Sequence, residues 1–194
     1  MKLYYCPGAC SLADHIALEE AGVPFDSESV DLKTKRTASG ADFTAVTSKG
    51  YVPALVLDDG RLLTENIAVL DYLGSLFPQL VPDSDLGRTR MLEALAYIST
   101  ELHKSFKPFW HQSSDAEKDA ARVQISRHMQ FLAGEMRGDF LFGDRPSAAD
   151  FYLFVMLLWA GRFGVEIPPV LADLRGRLRS RPAVRRALET EGLR

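Results

Sequence analysis

The sequence predicts an α/β domain followed by an all-helical domain. Three observations predict it. Apolar periodicity changes repeatedly over residues 1–77, a segment rich in proline and aspartate follows, and the remaining spacing is helical throughout. With 194 residues, 46% of them hydrophobic and 25% charged, the chain suffices for one large domain or two small ones. That mixture excludes a disordered tail, a collagen-like repeat and a disulfide-dense secreted scaffold. A formal net charge of −3 gives no electrostatic reason to expect nucleic acid or an anionic membrane as partner. The two cysteines, Cys6 and Cys10, form no framework that could staple the fold. No basic segment leads into a long apolar stretch near the start, and Phe151–Ala160 is too short to span a bilayer, so a cytoplasmic protein is expected.

The elements follow in order. Lys2-Leu3-Tyr4-Tyr5 is a short aromatic strand. Pro7 and Gly8 end it, and Ser11 to Ala21 carries helical spacing through Leu12, Ile16 and Leu18, with Gly22 as the stop. Phe25 to Leu32 reads as a second strand. Pro53 to Leu57 and Arg61 to Thr64 flank Asp58-Asp59-Gly60, the strongest hairpin signal in the chain. Apolar residues at 67, 70, 73 and 77 then describe an amphipathic helix. Strand, helix, strand, hairpin and helix make a thioredoxin-like layer over residues 1–77. Residues 78–87, with two prolines, two aspartates and a glycine, read as a linker.

Residues 88–194 predict a helical bundle. Leu92, Leu95, Ile98/Ser99, Leu102, Phe106 and Phe109 mark one stripe, disturbed at Pro108. Val123 to Met136 is a second helix, and Phe151 to Trp159, apolar on nearly every side, is a central buried one. Ser147-Ala148-Ala149-Asp150 ahead of it is a capping box with a structural role. Arg181-Pro182 opens a last short helix. The arginines from 175 to 186 read as the solvated face of the last helices and take no ligand.

Three places could carry chemistry. Cys10 lies where a loop meets a helix start, and free N–H groups and the positive dipole end would favour its thiolate. A small buried hydrophobe is an equally good description of Cys10, and a better one of Cys6. Val52-Pro53, after the loop Lys49-Gly50-Tyr51, reads on its own as a turn proline. A cis bond there would instead offer the Val52 N–H and C=O to an extended peptide-like ligand. Thr64-Glu65-Asn66 ends a strand and opens a helix. Glu65 reads as a dipole-complementing cap, although a helix N-terminus beside a carboxylate would also suit a zwitterionic amino-acid end.

Taken together, the segments KLYYCPGACSL, VDLKTKRTASGADF, KGYVPALVLDDG, LLTEN and TELHK, the S-A-A-D box and the closing EGL resemble the cytosolic glutathione S-transferases, most closely the bacterial beta class. The resemblance implies reduced glutathione as co-substrate, a small hydrophobic electrophile, a detoxification role, no metal and a homodimer. Residue by residue it implies that Cys10 lies beside the glutathione sulfur and can form a mixed disulfide with it. It implies that Val52 and Pro53 clamp the cysteinyl unit, that Glu65 and Asn66 hold the γ-glutamyl end and that Lys35 reaches the glycine carboxylate. His103 and Lys104 would come from the helical domain to the thiol, with Ser11 a secondary hydrogen-bond donor. Ala96, Ser99, Thr100, His103 and Lys107 recur at helical steps on one face beside the apolar stripe, as a cleft wall would. Phe106, Lys107 and Trp110 are candidates for the electrophile pocket, and Tyr4 and Tyr5 are expected to pack. Tyr51, Asn66 and Ala96 depart from the family pattern. Two other functions are expected alternatives: a glutathione-dependent thiol–disulfide oxidoreductase, and a non-catalytic binding protein on the same fold.

Overall fold

Strand β1 (Lys2–Tyr5) alternates half-buried and buried residues and lies at the centre of a five-stranded mixed sheet. In the computed structural model, which describes residues 1–193, β1 pairs in parallel with β2 (Asp26–Asp31), placing Leu3 opposite Ser27. On its other side it pairs antiparallel with β4 (Ala54–Val56), Leu3 opposite Leu55. The Asp58-Asp59-Gly60 turn joins β4 to β5 (Leu62–Thr64), as its sequence predicts. The two-residue β3 (Arg36–Thr37), pairing antiparallel with β2, completes the order β3-β2-β1-β4-β5. It is too short to leave a period in the sequence.

Between β1 and β2 runs helix α1 (Leu12–Ala21), every residue from Leu12 to Leu18 buried. Gly22 stops it in the left-handed conformation, φ 69°. Helix α2 (Asn66–Leu76) follows β5 and buries Val69, Leu70 and Leu73. The chain divides into two compact units, and residues from 180 onward belong with residues 1–80. Within this first unit α8 (Pro182–Thr190) lies against α1. The arginines there are not merely solvated. Arg181 grips Glu20 through two bonds of 2.5 and 3.0 Å, and Arg186 reaches Glu19 at 2.6 Å. Charge spacing alone could not reveal these pairs, whose partners lie some 160 residues away.

The second unit, residues 81–179, is helical. Helix α3 (Gly87–Tyr97) passes without a break into a π-helical turn, Ile98–His103, and after a short gap comes α4 (Lys107–Trp110). The stripe predicted as one helix disturbed at Pro108 is therefore interrupted earlier; Pro108 sits in the first turn of α4, where its missing N–H costs nothing. Gly87 at the head of α3 is required by packing, since a Cβ there would stand 1.9 Å from the Pro82 carbonyl oxygen. Helix α5 (Asp115–Glu135) begins well before Val123, at a Ser114–Glu117 capping box. Its first two turns are polar, so periodicity finds only the later ones. Helix α6 (Ala148–Arg162) is buried almost all round, and α7 (Pro169–Ser180) faces its core through Leu171, Leu174 and Leu178. Among the described residues no helix is long and apolar enough to cross a membrane.

Candidate active site

In the first unit the backbone around Val52 collects most of the residues singled out in the sequence. The Val52–Pro53 peptide bond is cis. Val52 is buried, and its carbonyl oxygen lies 3.8 Å from the Cys10 sulfur, a weak S–H···O contact. Among the described residues no turn or loop hydrogen bond uses the Val52 N–H. Asn66, first residue of α2, donates its side-chain amide to the Cys10 carbonyl at 2.9 Å. Lys35, itself in the left-handed region at φ 56°, donates from Nζ to the Gly50 carbonyl at 2.7 Å. Cys10, Lys35, Val52 and Asn66 thus meet at one strand-edge loop.

Glu65 joins them through its neighbours. It caps α2 with φ at 71°, a left-handed conformation in which its backbone carbonyl accepts the Val69 N–H. Its exposed carboxylate accepts the Tyr51 hydroxyl at 2.8 Å and pairs with Lys49. These two bonds, Lys49 first, hold the Glu65 carboxyl below its ordinary pKa. Lys49 and Tyr51 are partners of Glu65 that motif reasoning missed. The only signal was their position, immediately before Val52.

Of the two readings the sequence leaves open for Cys10, the structure disfavours the thiolate. The helix start was expected to lower its pKa; instead burial, reinforced by the neighbouring Asp14 carboxylate, pushes the thiol up to about 12. The Asn66 amide and the backbone N–H groups of Ser11 and Cys10 act in the opposite direction and are outweighed. Desolvation, invisible in the sequence, overrides the dipole. Ser11 is fully buried and its hydroxyl accepts the Cys6 N–H at 3.2 Å, so it braces the loop. Tyr4 packs on Phe43 and Tyr5 reaches the Thr190 carbonyl, as expected of supporting residues. Cys6 packs beside the cluster of Val30, Phe43, Val52 and Ala54.

One further contact fixes the loop that carries Cys10. Glu191, buried, accepts the Gly8 N–H at 2.9 Å and meets Nδ1 of the buried His15 at 2.9 Å. Burial raises the Glu191 carboxyl, and these bonds oppose the rise.

In the second unit His103 ends the π-helical turn. Its Nδ1 lies 2.5 Å from the Tyr152 hydroxyl on α6, and its ring stands edge-on to Tyr152 and Trp159. Burial lowers its pKa to about 4, so the ring is neutral at ordinary pH. Thr100 spends its hydroxyl on the Ala96 carbonyl, and Ser99 is half-buried on the same turn. Lys104 and Lys107 are exposed. Phe106 is fully buried against Trp159, so it contributes packing and not ligand surface. Trp110 remains 43% exposed, with the Arg162 guanidinium over its ring. The box ahead of α6 is structural as expected: Asp150 accepts from the Ser147 N–H and hydroxyl and from the Leu141 N–H. Among the described residues no group of three or more His, Cys, Asp or Glu could hold a metal ion.

Residues 9–76 match the family model for the glutathione S-transferase N-terminal domain, and residues 115–189 the model for the C-terminal domain. Glutathione S-transferase GstA of Escherichia coli O157:H7 is 42% identical over the whole of both chains. The chain belongs to the glutathione S-transferase family. Among solved structures, a sphingomonad glutathione S-transferase complexed with glutathione is similar to this transferase, with a TM-score of 0.92 and 43% identity over all of both chains. A bacterial beta class glutathione S-transferase from Sphingomonas chungbukensis matches equally completely, with a TM-score of 0.90 and 43% identity. The family and the fold expected from the sequence, a thioredoxin-like layer and a helical domain, both stand.

Proposed function

We propose that this transferase binds reduced glutathione in its first unit and promotes attack of the glutathione thiolate on a small apolar electrophile. One observation supports the glutathione site most directly. The unoccupied N–H of Val52 lies next to Tyr51, whose hydroxyl is bonded to Glu65 at the start of α2. An extended tripeptide would add to the Val52 edge as a short strand. Its γ-glutamyl ammonium would meet the Glu65 carboxylate, and its carboxylate the N-terminus of α2 at Asn66. Lys35 would take the glycine carboxylate. A sulfur seated near the start of α1 would have its thiolate favoured by the helix dipole, provided it stays less buried than Cys10.

The helical unit would supply the apolar site. His103, neutral and fixed by Tyr152, offers a hydrogen-bonding nitrogen, and Lys104, Lys107 and Trp110 offer exposed surface on the same stretch. The high pKa of Cys10 favours conjugation by glutathione itself over exchange led by this cysteine. We further propose a cytoplasmic homodimer with a detoxification role, in keeping with the family. The test is calorimetry with reduced glutathione, followed by turnover of an activated aryl halide in wild type and Cys10→Ser. Binding together with conjugation that survives Cys10→Ser is expected. No binding at millimolar glutathione would overturn the proposal.

A further inference from the structure

We infer that Trp110 and Arg162 form a subsite on the helical unit that selects, as the electrophile, an aryl ring carrying an anionic substituent such as a carboxylate. This rests on the proposal above that the helical unit receives the electrophile, and it narrows that substrate to one chemical class. Two observations carry it. Trp110, last residue of α4, is 43% exposed, although its indole is fixed edge-on against Trp159 and Phe163 at ring distances of 5.1 and 4.8 Å. Arg162, last residue of α6 and itself exposed, lays its guanidinium over the Trp110 ring at 5.3 Å and over the Phe163 ring at 5.6 Å. Among the described residues this guanidinium has no hydrogen bond and no ion pair.

A second arginine in the same aromatic cluster shows the contrast. Arg122 stands 5.3 Å over the Phe109 ring, but it pairs with Asp119 at 2.6 Å and donates Nε to the Phe163 carbonyl at 3.2 Å. Its charge is answered from within the protein, whereas that of Arg162 is not. A stacked guanidinium gives its face to the ring and keeps its N–H edge free, and that edge matches the two oxygens of a carboxylate. The last turn of a helix also suits a cation, but that role needs neither ring. Lys104, Lys107 and His111 line a different groove, against α5. An aryl anion satisfies both groups at once: its ring packs on the exposed indole and its charge meets Arg162.

The subsite is continuous with the candidate histidine. Trp159 adjoins both, its ring 4.9 Å from that of His103 and 5.1 Å from that of Trp110. The stacked rings of Phe109 and Phe163, 4.5 Å apart, brace it from the other side. An electrophile held by Arg162 on Trp110 thus lies against the aromatic group that His103 also touches.

The experiment compares a chlorodinitrobenzoate, with chlorine para to the carboxylate, and its uncharged carboxamide. In either reaction the glutathione thiolate forms a C–S bond at the carbon bearing chlorine, chloride leaves with the bonding pair, and the thiol proton passes to solvent. Arg162→Gln should lower kcat/KM for the carboxylate about tenfold relative to the carboxamide, the loss falling on KM for the aryl halide. Trp110→Leu should raise KM for both. Equal effects of Arg162→Gln on the two substrates overturn the inference, and so does a Trp110→Leu enzyme with both KM values unchanged. A second measurement needs no turnover. Both tryptophans of the chain lie in this cluster, so quenching of their fluorescence by dinitrobenzoate, which lacks the leaving group, reports binding directly. Its Kd should rise about tenfold in Arg162→Gln relative to that of dinitrobenzamide. No glutathione enters this titration, so it is read whether or not the functional proposal holds, and a Kd ratio that Arg162→Gln leaves unchanged overturns the inference in either case.

Discussion

Replacing Glu65 by glutamine removes one negative charge and preserves the side chain's size. Glu65 is about half exposed, 54% of its side chain, and already paired with Lys49. An arriving ammonium therefore competes with Lys49 in a partly solvated setting. A hydrogen bond to a charged group contributes roughly 1.5–3 kcal/mol, whereas an exposed ion pair contributes about 0–1 kcal/mol. The half-exposed position argues for a loss near 1.4 kcal/mol, or about tenfold in Kd. The same exposure makes folding insensitive, since losing the Lys49 pair costs about 0–1 kcal/mol. Titration calorimetry with reduced glutathione should show Kd rising about tenfold while the melting temperature hardly moves. In turnover the loss should fall on KM for glutathione with kcat held, the pattern of an interaction equally strong in ground and transition states. An unchanged Kd in Glu65→Gln would refute the assignment of this carboxylate to the ammonium.

Other perturbations test other parts of the molecule. The His103 ring should stay neutral down to about pH 4 in an NMR titration, because burial lowers its pKa; a midpoint near the ordinary 6.5 would contradict that. Tyr152→Phe strands the His103 Nδ1 and should cost roughly 1–3 kcal/mol in chemical denaturation. Asp150 is raised by burial from 3.8 to about 6, so its contribution to stability is present in full below its unfolded pKa and is lost as pH rises through about 6. Asp150→Asn should therefore narrow its stability deficit relative to wild type across that window; a deficit independent of pH would refute the burial argument. Glu191→Ala removes the carboxylate that the Gly8 N–H and His15 bond, roughly 1–3 kcal/mol each. At roughly 2–4 °C per kcal/mol its melting temperature should fall by about 10 °C, and an unchanged value would mean that the tether is dispensable.

Much of the fold was legible because its signals are local. Asp58-Asp59-Gly60 admits few conformations other than a hairpin turn, Gly22 marks a helix end, and Phe151–Trp159 has no polar face to turn toward water. What stayed hidden depends on distant partners or on weak periodicity. The two residues of β3 are shorter than any repeat, and the start of α5 is polar and announces itself only through Ser114 and Glu117. Arg181 and Arg186 look like surface charge until Glu19 and Glu20 are folded against them. At the candidate site the sequence named Cys10, Lys35, Val52 and Asn66, which do meet. It missed Lys49 and Tyr51 as holders of Glu65, since nothing in a linear string says which carboxylate a lysine will find. It left Cys10 open between thiolate and buried hydrophobe, because a helix dipole can be read from position whereas desolvation requires knowing what covers the sulfur.

The bond from Glu191 to Gly8 makes the shape of an early turn depend on a residue far along the chain. The turn bearing Cys10 is synthesised well before its anchor, which lies 183 residues further along. A nascent polypeptide can complete the sheet long before that turn acquires its final shape, and proteolytic clipping behind α7 would leave the turn unlatched. The loop that carries Cys10 is thereby made contingent on the segment that follows α8.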